Sequence, residues 1–199
     1  MRYLPAVLVV GAVFAVWQHA SSRPVDRAPG MLVDSEPRQR LIEQAQPIDF
    51  KGVRLTPRAD FEAEVRVLGR ERYRLGKMGE LAPLDFAVGW REMSDSVVLR
   101  DIDISQSGRF YYWRYKDKPP IPEQLIIRQS ANWHLIPANA LAWRVLKSVR
   151  VGDVVTLEGK LVDVDAGADG NMKTSLTRED SGAGACEILF VESASIGSR

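Results

Sequence analysis

The apolar run YLPAVLVVGAVFAVW, from Tyr3 to Trp17, constrains this chain more than any other stretch. A segment of that composition has to leave water, in a bilayer or in a core. At about fifteen residues it is at the upper end of a signal-peptide core and just short of the roughly 17 to 25 that span a bilayer, so length alone leaves the choice open. The flanks carry more information. Ala20 and Ser22 offer the small residues that cleavage requires, but Arg23 and Pro24 follow directly and disfavour processing. Trp17, Gln18 and His19 suit the interfacial end of an anchor. The expectation is an uncleaved single-pass transmembrane anchor over residues 1–20, touching lipid through residues 3–20, with a cleaved signal as the second reading and a buried core helix as the third. Arg2 and the amino terminus are balanced by Arg23 and Arg27, so the positive-inside count is even. A short basic start ahead of an apolar run is nevertheless the export pattern, which places the rest of the chain on the periplasmic side of the inner (cytoplasmic) membrane. No cysteine lies near the run, and lipoprotein attachment is excluded.

Of the 199 residues, roughly 150 remain beyond the leader and its tail, the size of one domain around one core. Cys186 is the single cysteine, so no intramolecular disulfide exists and stability has to come from that core. Arg2 is the one charged residue before Arg23, so the formal net charge of +1 falls to zero beyond the leader, and a nucleic-acid partner gains no support. The local exception is Arg66, Arg70, Arg72, Arg74 and Lys77, opposed within that stretch only by Glu71. It reads as a solvated strand-and-turn surface, with an anionic envelope polymer or lipid headgroup as the functional alternative.

Residues 21–46, rich in proline and charge with little periodicity, read as a flexible tether, and residues 47–199 as a single globular domain. In FEAEVRV, Phe61, Ala63, Val65 and Val67 alternate with charged residues, which predicts a strand with one wet face. Ser94 or Asp95 can cap a short helix over VVLRDI, and RFYYWRY, ahead of the turn KDKPP, predicts a strand. EQLIIRQSANWHLIPA has no clean helical period and reads as a short strand followed by an ordered loop around Asn132 to Pro137. Asn139 then caps a helix, ALAWRVLKSV, whose Leu141, Val145, Leu146 and Val149 fall near one side. Three closing strands are expected over Val154 to Val164, Lys173 to Arg178 and Cys186 to Glu192. The pattern predicts an α+β domain built on a small curved antiparallel β-sheet or partly open barrel with one main packing helix.

Three places carry residues suited to chemistry or binding. TSLTREDSGAGACE sets Ser175, Thr177, Arg178, Asp180, Cys186 and Glu187 around a glycine-containing connection, where a hairpin would gather them and exposed amides could receive an anion. An ordinary tight β connection uses the same residues. SANWHLIPA holds His134, the one histidine beyond the leader, which rules against a metal site. If the protein is an enzyme, Cys186 is the nucleophile, His134 the base, and Asn132, Asp180 or Glu187 the orienting group, although Cys186 also opens an apolar strand where buried inert thiols are common. GWREMSDS and RFYYWRY interleave Trp90 and Trp113 with Arg109 and Arg114, a surface on which rings or peptide side chains could stack, or ordinary core and rim packing. No spacing singles out a pair of catalytic carboxylates among Asp85, Asp95, Asp101 and Asp103. Walker, Rossmann and nucleophile-elbow patterns are absent, so no cofactor is expected.

The segments DFAVGWREMSD, ISQSGRFYYW, SANWHLIPA, VGDVVTLEGKLV and TSLTREDSGAGACE together resemble a family of uncharacterised proteobacterial envelope proteins with one leading hydrophobic segment. The resemblance implies an exported single-domain protein and carries no activity with it. The function expected from all this is a membrane-anchored accessory or binding module whose partner is another envelope protein. Its binding residues would be Trp90, Arg109, Trp113, Arg114, Ser175, Arg178 and Glu187. The competing readings are a thiol-dependent hydrolase or transferase, and a polyanion-binding barrel suggested by the glycine-punctuated GDVVTLEGKLV.

Overall fold

In this computed structural model the described residues are 23–178 and 185–198. The leader, with its anchor expectation, and Asp180 lie outside them. Among the described residues no helix is long and apolar enough to cross a membrane.

The chain is rich in β-structure with a few short helices, an α+β arrangement. In order it forms β1 (Arg38–Leu41), β2 (Ile48–Phe50), β3 (Val53–Arg72), α1 (Gly76–Leu81), β4 (Leu84–Gly89), a 3-10 turn (Arg91–Ser94), α2 (Ser96–Leu99), β5 (Ile102–Ser107) and β6 (Phe110–Tyr115). It continues through α3 (Glu123–Arg128), β7 (Ser130–Pro137), α4 (Ala140–Ser148), β8 (Val154–Asp165), β9 (Asn171–Met172) and β10 (Glu187–Ile196).

β3 organises the sheet. The alternation at Phe61 to Val67 extends in both directions into a strand of 20 residues. One edge pairs with β8 from Arg54 to Arg66; the other takes β2, then β1, then β4 in succession. β4 pairs with β7, β7 runs parallel to β10, and β10 pairs with β8, so the path β3–β4–β7–β10–β8 closes on itself. So long a strand serves both sides only by coiling, and the pairing slips between Pro57 and Ala59 and between Val67 and Gly69, where bulges add bend and twist.

Inward-facing Phe61, Val65, Phe86, Trp133, Leu157 and Leu189 fill the ring, with Phe61 and Trp133 edge to face at 5.2 Å. Ala142 and Leu146 of α4 add to the same core. A second apolar cluster, Leu55, Leu81, Ile136, Ile188 and Phe190, lies on the alternate side chains of these strands with α1 and β2 packed on it. β5 and β6 form a separate two-stranded hairpin.

Several expectations are revised. The segment expected to be a tether is fastened to the domain at separate points: Val25 N–H donates to Val151 O (2.8 Å), Ser94 Oγ accepts from the amides of Leu32 and Val33, Val33 joins the ring core, and β1 pairs with β3. EQLIIR is helical, and SANWHLIP is a strand with all positions buried in place of a loop. Lys173 to Arg178 is not a strand: it meets the start of β10 through isolated hydrogen bonds, Ser175 N–H to Cys186 O and Ile188 N–H to Thr174 Oγ1, while β10 takes β7 and β8 as its strand partners. In α4, Leu141 is 65% exposed while Ala142, Leu146 and Val149 face the core. Asp95 does cap α2, its carboxylate accepting from Val97 N–H at 2.8 Å, and Asn139 caps α4, its Oδ1 accepting from Ala142 N–H at 2.8 Å. Asn139→Ala should cost about 1 kcal/mol in urea unfolding, the usual price of a lost N-cap.

A clasp and a cavity beneath the β5–β6 hairpin

Gly108 and Arg109 both have positive φ, 61° and 75°, which matches the two-residue turn whose twist suits a β-hairpin. The turn aims the Arg109 side chain into the body of the protein. Its guanidinium donates to Asp85 Oδ1 (2.9 Å), Ala82 O (2.8 Å) and Met78 O (3.0 Å), and it lies 3.8 Å from the centre of the Tyr73 ring. Tyr73 Oη accepts the Arg109 N–H at 2.9 Å. One residue therefore fastens the hairpin to α1 and β4.

Asp85 is fully buried, and its second oxygen lies 3.0 Å from His134 Nδ1, within ion-pair distance but off the line of a hydrogen bond. Asn132 Nδ2 donates to Arg109 O (3.1 Å) and its Oδ1 accepts from Gln106 Nε2 (2.8 Å). The register explains this gathering: Asp85 pairs with His134 and Ala87 with Asn132, so these polar groups share one face of β4 and β7.

Beside the clasp lies a cavity of about 290 Å³. One wall is the consecutive run Phe110, Tyr111, Tyr112 and Trp113; Ser130 and Asn132 line it at the start of β7, and Arg178, Cys186 and Glu187 complete it. Arg178 Nη1 donates to Glu187 Oε1 at 2.7 Å and Nη2 to Gln39 Oε1 at 3.1 Å, while its guanidinium sits 5.5 Å from the Phe61 ring centre. Burial pushes the Tyr111 hydroxyl above its ordinary pKa; the Ser130 hydrogen bond opposes that, and Glu187 and Cys186 add to the rise.

The cavity thus brings together Asn132, Trp113, Arg178, Cys186 and Glu187. Ser175 is buried close by, its N–H donating to Cys186 O at 3.1 Å and its Oγ accepting from Thr177 N–H. The remaining candidates lie elsewhere. Trp90 is enclosed in the ring core and presents no binding surface. Arg114 faces a separate recess with Asp101 and Asp103, and Arg109 is spent on the clasp. His134 is buried against Asp85 and is not among the residues lining the cavity, whereas Cys186 directs its thiol toward Arg109 O at 3.9 Å. That contact is with a carbonyl oxygen and supplies no base of the kind an activated nucleophile needs. No cluster that could hold a metal occurs among the described residues.

Asp85, Tyr73, Ser130 and Gln106 do not stand out as site residues in the sequence. The one available hint was an aspartate inside the apolar run LDFAVG, since a charge in a buried strand needs a partner. Comparison with protein-family models, curated proteins and solved structures finds no match.

Proposed function

We propose that this chain is a membrane-tethered, periplasm-facing accessory module that binds an extended segment of another envelope protein along the free edge of β6. The observation that carries the reading is that four consecutive strand residues, Phe110 to Trp113, line one cavity. Successive side chains of a strand point to opposite faces, so a cavity touching all four runs along the strand's edge. β6 has β5 as its one strand partner among the described residues. Ser107 and Phe110 close the two-residue turn as a hydrogen-bonded pair, so the alternation leaves the N–H and C=O groups of Tyr111 and Trp113 on the unpaired edge. A peptide laid there would gain main-chain hydrogen bonds and place one side chain in the cavity.

The ring supports the same reading. Its strand order, its single parallel pair β7–β10 and the placement of α4 between β7 and β8 follow the Greek-key barrel of the OB type, which binds ligands on the face of its second and third strands and the adjoining loops. Here those strands are β4 and β7, and the cavity lies at the start of β7. A polyanion is the less favoured ligand, because the cavity's cation, Arg178, is neutralised by Glu187. A thiol enzyme is less favoured because Cys186 and His134 are engaged with different partners.

The test is a photo-crosslinking residue in place of Tyr112 in the full-length chain in native membranes. A discrete crosslinked polypeptide is expected, lost when Ala185→Trp fills the cavity and retained in Cys186→Ser. No crosslink, or one indifferent to Ala185→Trp, defeats the reading, and loss of a covalent adduct specifically in Cys186→Ser would favour the thiol enzyme.

A further inference from the structure

The chain joins its domain beside a face whose cations are not neutralised. Val25 is fixed to Val151, and Arg27 donates to Gly152 O (3.0 Å) and Ser198 O (2.9 Å). Gly152 has φ of +90°, and a Cβ there would meet Val25 O at 2.2 Å, so the two segments are in direct backbone contact. Val151 follows closely on the end of α4. Arg70 Nη2 donates to Lys147 O (3.1 Å), which ties the far end of β3 to that helix end. Arg72 and Lys147 flank Trp143, with their charges 5.6 Å and 5.4 Å from its ring centre. Arg144, Lys147 and the 65% exposed Leu141 project from α4 into solvent. Arg70, Arg72, Arg144 and Lys147 form no ion pair among the described residues. Burial, and next the charge of Arg72, hold Arg70 below the usual arginine range, as expected where like charges gather.

We infer that this face, Arg70, Arg72, Leu141, Trp143, Arg144 and Lys147, lies against the anionic lipid headgroups of the membrane that holds the chain's own leader. The inference rests on the anchor reading. Trp17, the interfacial end of the apolar run, and Val25 are separated by a stretch of chain that spans at most about 25–30 Å when fully extended. That covalent limit keeps the Val25–Val151 junction, and α4 beside it, near the bilayer. Basic side chains around a half-buried tryptophan and an exposed leucine are the composition of a surface that rests on headgroups, where cations meet phosphates and the rings and leucine reach the acyl boundary.

The test uses the full-length chain carrying Cys186→Ser and Ser148→Cys, labelled with a donor fluorophore at residue 148. It is placed in nanodiscs of phosphatidylcholine alone or phosphatidylcholine with phosphatidylglycerol, each containing an acceptor lipid. Transfer is expected to be at least twofold higher in the anionic discs, and the difference should vanish at high salt and in Arg72→Glu/Arg144→Glu/Lys147→Glu. The single variant Arg144→Glu should lower it by a smaller amount. Equal transfer in both lipids, or a difference that survives charge reversal in a variant with unchanged Tm, overturns the inference. If the chain does not co-elute with discs at all, the anchor reading itself fails and takes the inference with it, an outcome visible before any transfer is measured.

Discussion

Arg109→Ala is expected to lower the free energy of unfolding by about 3–5 kcal/mol, because it leaves the carboxylate of Asp85 buried with its principal cation gone. The same change removes the donors to Ala82 O and Met78 O and the contact with the Tyr73 ring. Urea unfolding gives the magnitude, and hydrogen exchange across β5 and β6 shows where it falls, since the hairpin loses its fastening to α1 and β4. Backbone strain is a separate contribution that a second variant isolates. Arg109 sits at a φ of 75°, which glycine adopts freely and alanine does not, so Arg109→Gly should be the milder of the two. Adding Asp85→Asn to Arg109→Ala should cost less than the two single losses together, because the amide has no stranded charge. A loss below about 1 kcal/mol for Arg109→Ala would mean that the ion pair with Asp85 is not what holds the hairpin.

Gly159→Ala is expected to cost about 4 kcal/mol or more, read as insoluble expression or a collapsed Tm. A Cβ at this position would lie 2.0 Å from Phe190 O, 3.0 Å from Phe190 C and 3.1 Å from Glu192 N. All three are backbone atoms of β10, beside the irregularity between Val191 and Ser193, so no side chain can swing aside. Relief requires separating β8 from β10, and that pairing is one of the links that closes the ring. Gly197→Ala is the matched control: its Cβ would meet Val154 O at an ordinary 3.4 Å, and the change should stay within about 0.5 kcal/mol. Equal behaviour of the two variants would show that the β8–β10 junction can open.

These two positions also mark how far the sequence can be read. The glycine at 159 is visible as an interruption in VVTLEGKLV, but that it faces a neighbouring backbone depends on β10, which is thirty residues away in the chain. Arg109 reads as a surface cation next to aromatic residues; its inward aim comes from the positive φ of the turn and from Asp85 waiting on another strand. The α3–β7 stretch hides its helix and strand from the sequence for a related reason. A helix of six residues is too short to establish a period, and a strand covered on both faces has no polar alternation to reveal it.

Local chemistry alone determined the alternating strand around Phe61 to Val67, the aromatic strand of Phe110 to Tyr115, a cap at Ser94 or Asp95, the cap at Asn139 and the helix that follows Asn139. Each depends on a side chain and a backbone group only a few residues apart, so the information lies within one stretch of chain. Tertiary structure alone decided that β3 closes the ring by pairing with both β4 and β8. It also decided that His134 turns to Asp85, and that Cys186, Arg178 and Trp113 meet at one cavity while Trp90 does not. Those outcomes are set by strand register, and register is fixed by which apolar faces can be buried together across the whole sheet. A shift of one residue in any pairing would exchange the two faces and send Asp85 or Asn132 into the apolar ring.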